Sequence, residues 1–125
     1  MTTLSKKTAF VFGLFLSFLF SLTPAFAGTP KSTYAKHDLT SAQYSDMYFD
    51  LKSKGFRLSC VSGYEENNQA RFAAVWEKGT GPTIATHHQL TSDEYQDKYT
   101  QYKNLGYKLK YVNAFPVNGA VFYSA

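Results

Sequence analysis

From residue 28 onward, the apolar and polar positions of this 125-residue chain follow two periods, in the same order twice. Over 41–54, Tyr44, Tyr48 and Leu51 fall at i, i+4 and i+7, the spacing of one helix face. Over 92–105, Tyr95, Tyr99 and Tyr102 repeat that stripe. After Gly55 the period shortens to two in Phe56-Arg57-Leu58-Ser59-Cys60, and after Gly106 it does so again in Tyr107-Lys108-Leu109-Lys110-Tyr111. Alternation of this kind predicts strands with one buried face. Further strands are expected at 70–77 and 120–124, with a loop at 65–69 and a turn at Pro116-Val117-Asn118-Gly119. TIATHH (83–88) reads as a strand leading into the second helix, and STYAKH (32–37) as its counterpart before the first.

The two halves are copies. His37, Leu39, Thr40, Ser41, Tyr44, Asp46, Tyr48, Lys52, Gly55, Leu58 and Val61 recur 51 residues later as His88, Leu90, Thr91, Ser92, Tyr95, Asp97, Tyr99, Lys103, Gly106, Leu109 and Val112. The repeated residues carry helix-start chemistry. Thr40 and Thr91 are N-caps, and Gln43 and Glu94, three residues on, complete capping boxes. Leu39 with Tyr44, and Leu90 with Tyr95, form hydrophobic staples. Gly55 and Gly106 are the helix stops, where a positive φ favours glycine. Beyond Val112 the copies align if the second is five residues shorter, which sets Phe122 against Trp76. The expected fold class is α+β: two β-α-β-β repeats, about 32–82 and 83–125, with helices packed on antiparallel sheet around a pseudo-twofold axis.

The leading residues change the class of protein. Lys6 and Lys7 precede an apolar run at 9–22, and Ala25-Phe26-Ala27 fits a small-x-small cleavage site. Residues 1–27 thus read as a cleavable signal peptide, cut before Gly28, and the chain as secreted or periplasmic with no stable membrane insertion after cleavage. The run is shorter than the ~20 residues a spanning helix needs. Two of the 13 basic residues leave with the leader, so 11 face 9 acidic ones and the net charge falls from +4 to +2. That charge is no footprint for nucleic acid. Residues 28–125 make one small domain, rich in aromatic residues.

Candidate chemistry is sparse. His37 and His88 occupy equivalent positions three residues before the N-caps, where each either packs on a helix start or contacts a ligand. His87 and His88 are adjacent and would point to opposite faces of a strand, which spoils them as a chelating pair, so no metal site or cofactor is expected. Arg57, Lys108 and Lys110 lie on the polar phase of matching strands, a modest cationic strip for an anionic polymer or an acidic partner. The lone cysteine, Cys60, sits in an apolar stretch and is expected to be buried. Glu65 and Glu66 lie in a polar loop, and Ser62-Gly63 makes no nucleophile elbow. Trp76 is expected in the core.

His37-Asp38-Leu39-Thr40, Tyr44, Gly55-Phe56-Arg57-Leu58, Gly63-Tyr64, Ala74-Val75-Trp76-Glu77-Lys78 and Gly81-Pro82 together resemble the bacterial tandem repeat family. The same unit is the structural repeat beside the catalytic domain of polyglycine hydrolases. The second copy follows the pattern through Val112, then departs, with Ala114-Phe115 at the Gly-Tyr corner. In those hydrolases the resemblance implies serine β-lactamase-like chemistry in another domain, and residues 28–125 contain no Ser-x-x-Lys. The expected function is therefore a non-catalytic repeat module that binds a protein or an envelope glycan, with a homodimer as one way to cover its end faces. A small secreted hydrolase using Cys60 or a histidine is the alternative, and a structural remnant of a longer repeat protein is a third reading.

Overall fold

The computed structural model describes residues 31–125. The leader expected over 1–27 lies outside the described residues. The chain runs β1 (Thr33–Leu39), α1 (Ser41–Ser53), β2 (Phe56–Glu66), β3 (Gln69–Lys78), α2 (Ser92–Asn104), β4 (Asn113–Val117) and β5 (Ala120–Ser124). It is an α+β fold of two helices and two antiparallel sheets, ordered β1-β3-β2 and β4-β5.

Local chemistry sets the helix ends. The Thr40 hydroxyl accepts from the Gln43 N–H at 3.2 Å, and Gln43 Oε1 accepts from the Thr40 N–H at 2.9 Å. Thr91 and Glu94 close the same box on α2 at 3.3 and 2.8 Å. Such a cap satisfies two helix N–H groups that have no partner within the helix. Gly55 and Gly106 follow the helices at φ +81° and +85°, where a Cβ would strain the backbone.

The core belongs mainly to the first copy. Leu39, Tyr44, Leu51, Val61, Phe72, Ala74 and Trp76 are buried there, and only Phe115 joins them from the second. Burying a side chain such as Val61 or Phe72 stabilises the fold by roughly 1.5–3 kcal/mol. Trp76 is 0% exposed, stacked on Tyr44 with ring centroids 6.2 Å apart and edge-on to Tyr34 at 6.1 Å. In contrast, α2 buries none of its residues, whereas α1 buries Tyr44 and Leu51.

Strand register corrects the alignment of the copies. Gly63 pairs with Phe72 and Glu66 with Gln69, while Ala114 pairs with Tyr123 and Val117 with Ala120. Both hairpins close through two residues at positive φ, Asn67-Asn68 and Asn118-Gly119. The 51-residue offset therefore continues without a gap to Ala125, the counterpart of Ala74. The five-residue deletion is an artefact of matching Phe122 to Trp76. Phe122 instead stands where the first copy has Arg71, and the counterpart of Trp76 falls past residue 125. The loop expected at 65–69 is correspondingly a tight turn, with β2 running on to Glu66.

Two expected strands are not formed. The alternating stretch Tyr107–Tyr111 is irregular. In the first copy its counterpart pairs with Val75–Lys78. The segment 83–88 is likewise not a strand. Its pairing is confined to the exchange of backbone hydrogen bonds between His87 and Ala125, both 2.9 Å, and a bridge from Leu90 to Tyr123. This is the remnant of the β1–β3 pairing, which slips between Lys36 and Leu39 in the first copy.

Candidate functional site

The two hairpins lie side by side and are tied by three side-chain contacts. Ser62 Oγ lies 2.6 Å from the Tyr111 hydroxyl, the Gly63 N–H donates to Asn113 Oδ1 at 2.8 Å, and the Asn118 N–H donates to Glu65 Oε2 at 2.9 Å. Between the second and third of these, the Phe115 ring lies flat on Gly63. A Cβ there would meet it at 2.2 Å. The equivalent position in the second copy is Ala114, which is exposed.

Next to this seam a cleft of about 510 Å³ opens between the start of α1 and residues 86–91. His88 forms its inner wall. The imidazole packs 4.6 Å from the Tyr44 ring and 4.9 Å from Phe72, centroid to centroid, and its Nε2 lies 2.7 Å from Ser41 Oγ. The His88 carbonyl accepts from the buried Ser124 hydroxyl at 2.8 Å. His87 turns the other way, with Nε2 3.2 Å from the Tyr102 hydroxyl. Both rings are held below the ordinary histidine pKa. Burial is the main cause for each, with Lys98 adding to it at His87 and His87 at His88. Burial also pushes the Tyr44 phenol up to about 12. At neutral pH both histidines are therefore uncharged, while Glu94 at the cleft rim stays a carboxylate, held below its ordinary pKa by hydrogen bonds from Thr91.

The other residues singled out by the sequence do not converge on this cleft. His37 is exposed on β1, and no contact joins it to His88 among the described residues. Arg57 donates through Nη1 to the Gly81 carbonyl at 3.1 Å and through Nη2 to the Pro82 carbonyl, so it holds the link between the copies. Lys108 and Lys110 lie on the unpaired stretch after α2, and the strip imagined on matching strands is not assembled. Cys60 is half-buried at the β2 bulge between Leu58 and Cys60, not sealed in the core, and its thiol is free. No cluster of histidine, cysteine or carboxylate side chains is placed to hold a metal ion among the described residues. The Ser41–His88 contact escaped sequence reasoning because its partners lie 47 residues apart. The recurrence of Ser41 as Ser92 marked a repeated position without revealing a link across the copies.

The repeat visible in the register is also a family signature. A family model described as polyglycine hydrolase-like, structural repeat matches residues 31–79 and, separately, residues 81–125. The chain belongs to this structural-repeat family. Its first structural repeat holds a complete three-stranded sheet. Its second repeat holds the helix, the hairpin and the approach to the helix, and leaves the stretch after α2 unpaired. Most of the exposed large apolar residues lie in the second repeat: Tyr99, Leu105, Tyr107, Leu109, Val112 and Val121, with Leu105 66% and Leu109 49% exposed, against Tyr34 and Phe49 in the first.

Proposed function

We propose that the chain is exported by its leader and works as a non-catalytic module that binds a protein or a cell-envelope polymer. The observation that carries this reading is the run of exposed apolar side chains Leu105, Tyr107, Leu109 and Val112 along one short stretch of the second repeat. Exposed apolar residues concentrated in one part of a small domain mark an interaction site more often than isolated ones do. Lys108 and Lys110 lie in that stretch and suit an acidic partner. No described helix is long and apolar enough to cross a membrane. The test is retention of envelope components by the purified protein at low and moderate salt. A specific component retained at both salts supports the reading, and an empty eluate at both refutes it.

One observation favours a hydrolytic reading: Ser41 Oγ lies 2.7 Å from His88 Nε2. That is the geometry of a nucleophile beside its base. No carboxylate is hydrogen-bonded to His88 among the described residues, so nothing fixes its tautomer as a triad would. Turnover of an ester substrate that disappears with Ser41→Ala would establish this reading in place of the first.

A further inference from the structure

The cleft between the start of α1 and residues 86–91 offers about 510 Å³ of space, within the roughly 300–1,000 Å³ of small-ligand sites. No lysine or arginine lines it, and Glu94 is its one carboxylate. Comparison with the first repeat shows where charge is missing. There Asp38 and Arg71 form an ion pair at 3.2 Å. The 51-residue offset puts Gln89 and Phe122 in their places, and both of these uncharged residues line the cleft. Phe49 is a second departure. Its counterpart is Thr100, so the repeat does not need an aromatic residue there. The Phe49 ring is nonetheless 65% exposed at the cleft wall, edge-on to Tyr48 with centroids 5.4 Å apart. Lys52 Nζ lies over the Tyr48 ring, 5.8 Å from its centroid, which leaves Phe49 as the open aromatic surface. Polar groups in the same cleft have hydrogen-bonding capacity to spare. The Ser41 hydroxyl engages His88 at 2.7 Å, and one such contact leaves a hydroxyl at least one free lone pair. Glu94 Oε2 accepts from the Thr91 N–H, and Oε1 has no partner among the described residues. The Ser45 hydroxyl and the exposed Gln89 amide add donors and acceptors.

We propose that this cleft binds neutral sugar units of a glycan, with Phe49 as the stacking platform and Ser41, Ser45, Gln89 and Glu94 as hydrogen-bond partners. A pyranose ring has an apolar face of C–H groups and a rim of hydroxyls that both donate and accept. An exposed aromatic ring suits the C–H face, and hydroxyl, amide and carboxylate groups suit the rim. Glu94 accepts a charge-assisted hydrogen bond from a sugar hydroxyl and repels a phosphate, sulfate or carboxylate, so the site selects against acidic glycans. The inference rests on the binding-module reading and names a ligand class, at a cleft that shares no residue with the Leu105–Val112 stretch.

The probes are maltotriose, cellotriose and tri-N-acetylchitotriose, with trigalacturonate as the acidic control. Each is titrated into the purified protein and followed by amide chemical shifts. At least one neutral trisaccharide should shift residues 41–49 and 86–94 saturably, while trigalacturonate leaves them in place. Phe49→Ala should weaken that binding by about tenfold, on the order of one lost aromatic contact. Its circular dichroism spectrum should be unchanged, because the ring is exposed in the free protein. Thr100→Ala, at the counterpart position, should alter neither. Glu94→Gln should weaken binding severalfold while keeping α2 capped, since Gln43 closes the same box on α1. Absence of saturable shifts with every neutral sugar overturns the proposal, as does equal affinity of Phe49→Ala or tighter binding of trigalacturonate. An envelope component retained by wild type and Phe49→Ala alike, with none of the sugars bound, overturns the cleft alone and leaves the binding module standing.

Discussion

Gly63→Ala tests the contact that joins the two repeats. A Cβ on residue 63 would lie 2.2 Å from Phe115 Cε1, 2.3 Å from Cζ and 2.5 Å from Cδ1. Carbon atoms in contact sit roughly 3.5–4.0 Å apart, so the ring must retreat by more than about 1 Å. It has little space to do so. Phe115 is 3% exposed and stands edge-on to Phe72, with centroids 5.8 Å apart. Overpacking of this kind costs about 1–3 kcal/mol. In a domain of this size that corresponds to a fall in Tm of roughly 5–20 °C. Urea unfolding followed by circular dichroism measures it for wild type, Gly63→Ala, Phe115→Leu and the double variant. Leucine clears part of the space, so the double variant should be less destabilised than the sum, with a coupling of at least about 0.5 kcal/mol. Ala114→Gly at the exposed counterpart is the control, limited to about 0.5–1 kcal/mol of backbone entropy. A Gly63→Ala protein within about 0.5 kcal/mol of wild type, or an additive double variant, would refute the reasoning.

Three further outcomes are expected. Thr40→Ala and Thr91→Ala should each cost about 1 kcal/mol in urea unfolding, because each removes a capping box, and no loss at either would mean the caps carry no stability. Leu58→Ala should destabilise the protein by at least about 1 kcal/mol while Leu109→Ala stays within about 0.5 kcal/mol, and equal costs would contradict the asymmetry of the two repeats. Burial depresses the pKa of His87 and His88 in the folded state, so the unfolded chain takes up protons first as the pH falls. Their contribution is complete above the unfolded value of about 6.5 and declines as pH falls through it toward the folded values. Urea midpoints should therefore drop between about pH 7.5 and 5.5, and His88→Gln should flatten that drop; an unaltered slope would show that His88 is not the titrating group.

The parts of this fold legible in the sequence are those written in local chemistry. Thr40 with Gln43, and Thr91 with Glu94, place both helix starts, and the glycines after them place both ends. Alternation places β2, because its partner β3 follows within the same hairpin. The same alternation in Tyr107–Tyr111 predicts a strand that is not formed. Period-two patterning reports a face ready to be buried, while a strand also needs a neighbour to accept its backbone bonds. The misaligned second hairpin shows a related limit. Matching Phe122 to Trp76 on aromatic character alone invented a deletion, whereas the paired turns Asn67-Asn68 and Asn118-Gly119 fix the register by backbone geometry. The candidate cleft was the least legible part. Ser41 and His88 each look unremarkable within their own repeats, and their contact depends on how one repeat packs on the other.

The position of Trp76 also divides the molecule optically. It is the only tryptophan in the chain, and it is sealed within the first repeat. Indole emission therefore reports on the first repeat alone, while the tyrosines of the second contribute little to that signal. Fraying of α2 or of the β4–β5 hairpin would leave the emission almost unchanged while backbone ellipticity fell. The separation between the two melting curves is thus a direct gauge of how firmly Phe115 and His88 bind the second repeat to the first.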